Sequence, residues 1–495
     1  MKKQLLYNIM LAALVVLMGS CSDSDSVTSD FTVVQDGMEI STLQFNYTAG
    51  KKVVGLTTNV EWSVACDQEW CTLSNRSGDP LKEAEKYYLV INVTANDGVS
   101  PRTANITFNA GGQTHSLTVI QAAYDPSLRP ANMRHSATQL MKLINVGWNI
   151  GNTLEATGGE TSWGNPLITR DLIRGYKALG INALRLPCAW DSHADDGGNI
   201  DAQWMARVKE VIDWIVAEDM YVMLNIHWDG GWMEEHCGTN NMTENEIAQV
   251  NEKVRSYWTQ IATEFRDYDE HLLFAGANEP AVDNAAQMAV LARYEQTFVD
   301  AVRATGGNNE FRVLVVEGPS TDITQTLQMM TMPTDATPES LALEVHFYSP
   351  WWFVVNVDDD YKRKPTEQPY LTWFWGKDYI QYGAHDEMQE EQMMALFQQM
   401  KARYVDRGIP VIVGECGSDN RECPNATWPS DDFYQHFLDS RVYYHRFMVE
   451  QMKNNGMTPF IWDTGKWISR YDYTATDSRT VQAVIEGANA GIYPF

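Results

Sequence analysis

The sequence predicts an α/β protein, a (β/α)8 TIM barrel preceded by a small all-β, immunoglobulin-like sandwich. Two observations carry that prediction. Strand-like apolar runs recur along 134–495 with helical patterns between them, the alternation expected of a parallel barrel with long loops. Upstream, 31–123 reads as short alternating strands broken by turns, the texture of an antiparallel sandwich. No internal repeat is evident.

Taken in order, the N-terminus reads as an export signal. Lys2 and Lys3 precede an apolar stretch at 5–18, too short to span a bilayer comfortably. It ends in Leu17-Met18-Gly19-Ser20-Cys21, which resembles a bacterial lipoprotein box. That places a signal peptide over 1–21, with the Cys21 thiol carrying a lipid anchor. The following 22–30, SDSDSVTSD, is an acidic tether with nothing to bury, and it resembles the surface-export signal of Bacteroidetes lipoproteins. An outer-membrane, cell-surface location is expected, and no other segment could cross a membrane.

Within 31–123, the run RTANITF alternates Ala104, Ile106 and Phe108 against Asn105 and Thr107. Gly111-Gly112 then supplies a turn and HSLTVIQ a return strand. Residues 124–133, with Pro126 and Pro130, read as a linker. Beyond it the apolar runs fall at 144–151, 181–187, 220–228, 272–280, 312–318, 341–348, 409–415 and 457–465. Helical patterns at 171–180 and 202–219 each lead into the next strand, and the longest gap holds an aromatic-rich loop at 351–382.

Composition narrows the partners. The chain has 495 residues, enough for two or three domains, and 44% of them are hydrophobic. With 37 basic against 65 acidic residues the net charge is −28, which disfavours nucleic acid and anionic lipid. A neutral partner fits better, and 17 Trp with 22 Tyr offer faces on which sugar rings stack. Of the 7 cysteines, Cys66 with Cys71 and Cys416 with Cys423 are near enough to pair, but the sequence does not fix any pairing. Free thiols and a monomer are the default expectations. His227, Asp229, His236 and Cys237 match no zinc spacing, and the acidic runs at 195–196 and 358–360 lack a calcium-loop arrangement. No metal and no cofactor is expected.

The chemistry concentrates at strand ends. AGANEP around Glu279 and VIVGECG around Glu415 each place a glutamate where a buried strand meets its loop, the rim on which barrel enzymes carry their chemistry. Two such glutamates are the equipment for cleaving a glycosidic bond. Period-two alternation puts Glu344, His346 and Tyr348 on one face of LALEVHFY and Asn225 with His227 on one face of MLNIHW. Arg185, His227, Asn278, Glu279, His346, Tyr348 and Glu415 all fall at strand ends, where polar groups are costly unless networked.

On these motifs the chain resembles glycoside hydrolase family 5, and within it the subfamily 4 endo-β-1,4-glucanases and xyloglucanases. GWNIGNTLEA, ETSWGNP, NALRLP, NIHWDGGW, GANEP, EVHFYSPWWF, VGECG and IWDTG follow in family order across 140–495. The resemblance implies a retaining mechanism with Glu279 as acid/base and Glu415 as nucleophile. On that assignment Arg185 and Tyr348 would keep Glu415 ionised, while low polarity and the charge of Glu415 would keep Glu279 protonated. Asn278 would hydrogen-bond the sugar 2-hydroxyl, and His227 and His346 would orient the network. Trp462 would form the floor under the cleaved ring and Asn152 would contact the neighbouring sugar. Trp163, Trp232, Trp351 and Trp352 are candidates for further subsites. The implied partner is a β-glucan polysaccharide, either xyloglucan, mixed-linkage glucan or soluble cellulose. A mannanase or xylanase on the same fold, or a non-catalytic glycan binder, are the alternatives. Residues 31–123 resemble the BACON domain of Bacteroidetes polysaccharide-processing proteins, acting either as a spacer or as a sugar binder through Trp62 or Trp70.

Overall fold

The computed structural model describes residues 31–495 except 36–37, 46, 48–49, 81–85, 95, 97, 99, 124–128, 240, 356–372, 385 and 419–429. The signal, the lipid-bearing Cys21, the tether and Cys423 lie outside the described residues. The chain divides into two compact units, the first built from segments up to Ala122 and the second chiefly from Ala123 onward.

In the first unit two five-stranded sheets face each other. One centres on Gly50–Thr58 and Tyr87–Val93, the other on Arg102–Ala110 and Gln113–Gln121. Gly111 and Gly112 turn the latter hairpin with φ of 56° and 77°, a conformation that glycine adopts without strain. Ala104, Ile106 and Phe108 are buried as the alternation requires, packed with Leu56, Ile91, Leu117 and Val119.

The second unit is a closed barrel of eight parallel strands. They are β1 (Gly147–Asn149), β2 (Ala183–Leu186), β3 (Tyr221–Asn225), β4 (Leu272–Ala275), β5 (Leu314–Asp322), β6 (Leu341–Phe347), β7 (Val411–Cys416) and β8 (Met457–Ile461). β1 closes the ring by pairing Gly147 with Phe460 of β8. Gly147 has to be glycine, because a Cβ there would stand 2.1 Å from the Phe460 ring. Helices flank the strands where the amphipathic patterns lie, for example Arg170–Ala178, N-capped by Thr169, and Ala202–Ala217, N-capped by Asp201.

Most strands are shorter than their apolar runs. β3 ends at Asn225 and β4 at Ala275, so Ile226–Trp228 and Gly276–Pro280 leave the ladder. The apolar run continues because the emerging chain is still buried, and these segments carry the polar side chains of the upper rim. Outward residues such as Leu184, Leu186, Val222 and Leu224 pack against the helices. Inward ones, Ala183, Met223, Leu273, Val315 and Ile412, fill the lower barrel together with Leu140, Met141 and Ile144 of the helix Ala137–Leu143 and its C-cap. Hydrophobic packing therefore closes the bottom and leaves the top for chemistry.

Register between β6 and β7 slips at one point. Val345 pairs with Val413, yet His346 pairs with Glu415, so Gly414 is the extra residue. A Cβ on Gly414 would lie 1.8 Å from Glu344 Oε1. The irregularity thus does two things: it aims Glu415 across the barrel top and leaves the space that the Glu344 carboxyl fills.

Candidate active site

Arg185, the inward residue of β2, anchors the site. It is fully buried, and its guanidinium uses both faces of the fork. Nη1 donates to Asn149 Oδ1 at 3.1 Å and to Glu415 Oε1 at 2.8 Å, and Nη2 donates to Asn278 Oδ1 at 2.8 Å. Nε forms an ion pair with Glu344 Oε1 at 2.9 Å. Burial works against the charge, but Glu344 and Glu415 outweigh it and hold the guanidinium protonated.

Glu415, at the end of β7, also accepts from the Tyr348 hydroxyl at 2.9 Å. Both donors favour its carboxylate form, yet burial is the larger influence and leaves Glu415 above its ordinary value. Glu279 stands across the cleft, its side chain 46% exposed. Its Oε1 lies 2.6 Å from His346 Nδ1. Burial raises Glu279, but that hydrogen bond and the charges of His346 and Arg185 bring it below the ordinary carboxylate value. His346 is pushed up to about 10, because Glu415, Glu279 and Glu344 outweigh its burial. This corrects the expected proton location. The carboxylates around the imidazole favour its cation, and that cation in turn favours the ionised form of Glu279.

An oxygen of Glu279, a ring nitrogen of His346 and an oxygen of Glu415 all lie within 4.8 Å of one another. By position they could hold a metal ion. By chemistry they suit one poorly, because Glu415 already binds the Arg185 cation and His346 Nδ1 already meets Glu279. The same closeness suits a pair of carboxyls acting on opposite sides of one bond.

The pair opens into a cavity of about 500 Å³ lined by His227, Trp228, Glu234, Asn278, Tyr348, Trp351, Trp462 and Trp467 among others. His227 is buried and held well below its ordinary value by burial, then by Arg185 and His346. It is a neutral ring whose Nδ1 faces the Asn225 amide at 3.2 Å. Trp462 lies parallel to it, 3° between planes and 5.8 Å between centroids. Trp351 also lines a neighbouring hollow with Trp352, and both are exposed. Asn152 follows Gly151, whose backbone abuts the Trp462 ring, and its left-handed φ of 57° is one that asparagine tolerates. Its side chain is half-buried and, like that of Trp163, which is exposed on the same loop, is not among the residues lining the cavity. Trp232 is packed edge-on against Tyr257 with Lys253 over its ring, and the structure does not bring it to the cavity.

Three residues of the site lay outside the sequence-based set. Glu234 is buried and accepts from the Glu279 backbone N–H at 2.6 Å, and burial pushes it up to about 7. Trp228 lines the cavity directly after His227. Glu344 sits below the pair, and its place on the inward face with His346 was the only signal for it in the sequence. Asp229, by contrast, caps the Trp190, Asp191 and Ser192 amides, a structural task. In the first unit Trp62 is 3% exposed and Trp70 lies under the Arg102 guanidinium, 4.2 Å from its ring centroid. The cysteines Cys66, Cys71, Cys188, Cys237 and Cys416 are free.

A closed (β/α)8 barrel with two carboxyls facing each other at its upper rim defines a glycoside hydrolase. Residues 149–466 match the model of cellulase, glycosyl hydrolase family 5, and the chain belongs to that family. Residues 60–122 match the BACON domain, an N-terminal binding domain. The chain is 30% identical to the xyloglucan-specific endo-β-1,4-glucanase of Bacteroides ovatus over 510 aligned positions, covering 97% of this chain and 96% of that one. Among solved structures, the Bacteroides ovatus GH5 xyloglucanase in complex with a XXXG heptasaccharide superposes with a TM-score of 0.68 at 29% identity, covering 93% of this chain and 100% of the other. A GH5 xyloglucan-specific β-1,4-glucanase from a ruminal metagenomic library gives 0.66 at 36% identity, covering 73% of this chain and 98% of the other.

Proposed function

We propose that the chain is a retaining endo-β-1,4-glucanase of subfamily 4 that cuts soluble β-glucans, xyloglucan among them, with Glu415 as nucleophile and Glu279 as acid/base. The observation that carries this is the separation of the pair, within 4.8 Å at its nearest oxygens. Retaining enzymes place their carboxyls about 5–5.5 Å apart, whereas inverting ones leave roughly 6.5–9.5 Å for a water. Glu415 attacks the anomeric carbon while Glu279 protonates the departing glycosidic oxygen, giving a glycosyl ester on Glu415. Water then enters, Glu279 takes its proton, and the ester bond breaks with its electron pair returning to Glu415.

The surroundings support each role. Arg185 and Tyr348 hold Glu415 in place and share the charge it regains in the second step. Asn278 has its amide oxygen taken by Arg185, and its NH2, which also meets the Glu234 carboxyl, keeps a second N–H for a sugar 2-hydroxyl. Trp462 offers an aromatic floor, with Trp228 and Trp351 as flanking walls. The xyloglucan-specific relatives support a cleft that accepts branched β-glucan. Trp62 is buried and Arg102 covers one face of Trp70, which favours the spacer reading of the first unit. Export as a monomeric lipoprotein anchored at the cell surface through Cys21 completes the proposal and rests on the N-terminal sequence. Cys21→Ala should move the protein from the membrane fraction to the soluble one.

The test of the activity uses the full chain on xyloglucan, barley mixed-linkage glucan, carboxymethylcellulose, mannan and xylan, following viscosity and reducing ends together. A fast viscosity fall on β-glucans, lost in Glu415→Gln, is expected. Cleavage of mannan or xylan alone would overturn the substrate assignment.

A further inference from the structure

Below the catalytic pair lies an acidic residue for which the two-carboxylate mechanism has no role. Glu344 precedes His346 by two positions on β6, faces the same way, and has a side chain that is 0% exposed. Its Oε1 is 2.9 Å from Arg185 Nε and 3.2 Å from His346 Nε2. His346 therefore stands between two carboxyl groups, the buried Glu344 at Nε2 and the cleft-facing Glu279 at Nδ1, 2.6 Å away.

An imidazole in that position has few satisfactory states. With one proton on Nδ1 alone, the Nε2 lone pair would face a buried carboxyl oxygen, which is repulsive. Two states avoid this. In one, His346 carries both protons between two carboxylates. In the other, Nε2–H donates to Glu344 while Nδ1 accepts from a protonated Glu279. They differ only in where one proton sits on the short line between Nδ1 and Oε1. Both require the Nε2 proton, which Glu344 holds.

The surrounding groups leave this arrangement to Glu344. Arg185 from β2 and Glu415 from β7 face it, with Glu415 Oε2 at 3.8 Å from His346 Nδ1. Tyr348 on its own strand is committed to Glu415, and His227 beyond β3 is neutral. Glu317, opposite Glu344 in the β5–β6 register, and Glu295 on the helix Ala285–Ala304 are both fully buried. Their Oε2 atoms crowd one point over Gly276, at 3.2 and 3.0 Å from where its Cβ would stand. Burial pushes Glu295 up to about 7 and raises Glu317 well above its ordinary value, so burial disfavours the charge on both. Of the carboxyls beneath the imidazole, Glu344 is the one in contact with cationic partners.

We propose that Glu344 is a positioning residue that fixes the Nε2 proton of His346 and thereby keeps the catalytic proton on the line between His346 and Glu279. As the glycosidic C–O bond breaks, that proton passes through Glu279 to the leaving oxygen while the Glu415–C1 bond forms. In the second step the attacking water returns a proton to the same line as its oxygen bonds to C1 and the Glu415 ester breaks. The inference rests on the reading of Glu279 as acid/base.

The test is Glu344→Gln in the full chain, assayed across pH on β-glucan and on 2,4-dinitrophenyl β-cellobioside, whose leaving group needs no proton. Loss of an opposite charge beside His346 should move the basic limb of kcat/KM to lower pH by about one to three units. At alkaline pH kcat/KM for β-glucan should fall at least tenfold, while kcat/KM for the dinitrophenyl substrate, which reports the first step without acid assistance, stays native. An unmoved limb, or an equal loss on both substrates, would overturn the proposal. Should this variant fail to fold, 15N spectra of the histidine-labelled native enzyme, with His346→Asn for assignment, decide the matter. A protonated Nε2 at neutral pH is expected, and an Nδ1–H tautomer with bare Nε2 refutes it. Glu279→Gln separates the two readings. If that variant keeps native β-glucanase activity, the acid/base assignment itself fails. If it loses β-glucan but keeps native kcat/KM on the dinitrophenyl substrate while Glu344→Gln behaves as native, only the role of Glu344 fails.

Discussion

Arg185 meets four other elements of the barrel top through one planar group, touching Asn149, Asn278, Glu344 and Glu415. Replacing it by methionine would keep most of its volume but leave two buried carboxylates facing each other without a cation. Breaking a buried pair in this way costs about 3–5 kcal/mol, so Arg185→Met should lower the urea midpoint strongly as well as abolish turnover. An unchanged midpoint would mean that the guanidinium serves catalysis alone. At this scale much was legible in the sequence. A charged residue inside ALRL, or two polar residues spaced by two in LALEVHFY, can only be inward groups that partner one another. The position of the proton was not legible, because it depends on His346 lying between Glu279 and Glu344, and that needs β4 and β6 brought together across the barrel top. Trp232 was misplaced for a similar reason, since an aromatic after a strand end looks the same whether it lines a cleft or packs on Tyr257.

Among the elements, the slip at Gly414 has the most exact demand on the chain. Its Cβ position is occupied by Glu344 Oε1 at 1.8 Å, and a buried carboxyl bonded to Arg185 and His346 has nowhere to go. Gly414→Ala should therefore shift Glu344 and, with it, both partners. Such overpacking costs about 1–3 kcal/mol, and kcat should fall at least tenfold with KM little changed. Native kcat in that variant would contradict the coupling drawn between β6 and β7. The order of strands and helices was readable from apolar runs alone, but their ends were not. In MYVMLNIHW, Ile226 and His227 stay buried after the chain has left the ladder, so hydrophobicity cannot mark where β3 stops and the rim begins. Nothing in VIVGECG marks Gly414 as the point of a slip; only the register against β6 does.

For the whole molecule, several buried acids titrate above their unfolded values. Glu155, Glu234 and Glu295 lie near 7 against 4.5, chiefly through burial, and Asp463 lies near 6 against 3.8. These groups bind more protons folded than unfolded between about pH 4 and 7, so their contribution to stability falls as pH rises through that window. His227 and His445, which burial holds well below their ordinary values, have the opposite sign. His346, near 10 against 6.5, has the sign of the acids: its contribution is complete below about 6.5 and is lost as pH rises through 10. The urea midpoint should be higher at pH 5 than at pH 8, and the reverse order would show that these carboxyls are ionised when folded. The net charge of −28 adds self-repulsion at high pH in the same direction.

A retaining displacement on Glu415 assisted by Glu279 passes through a covalent intermediate, which can be trapped. The full chain would be incubated with 2,4-dinitrophenyl 2-deoxy-2-fluoro-β-cellobioside, and the labelled peptide identified by mass. A single glycosyl ester on Glu415, released slowly as the β-anomer, is expected. A label on Glu279, or a first product of inverted configuration, would contradict the retaining displacement.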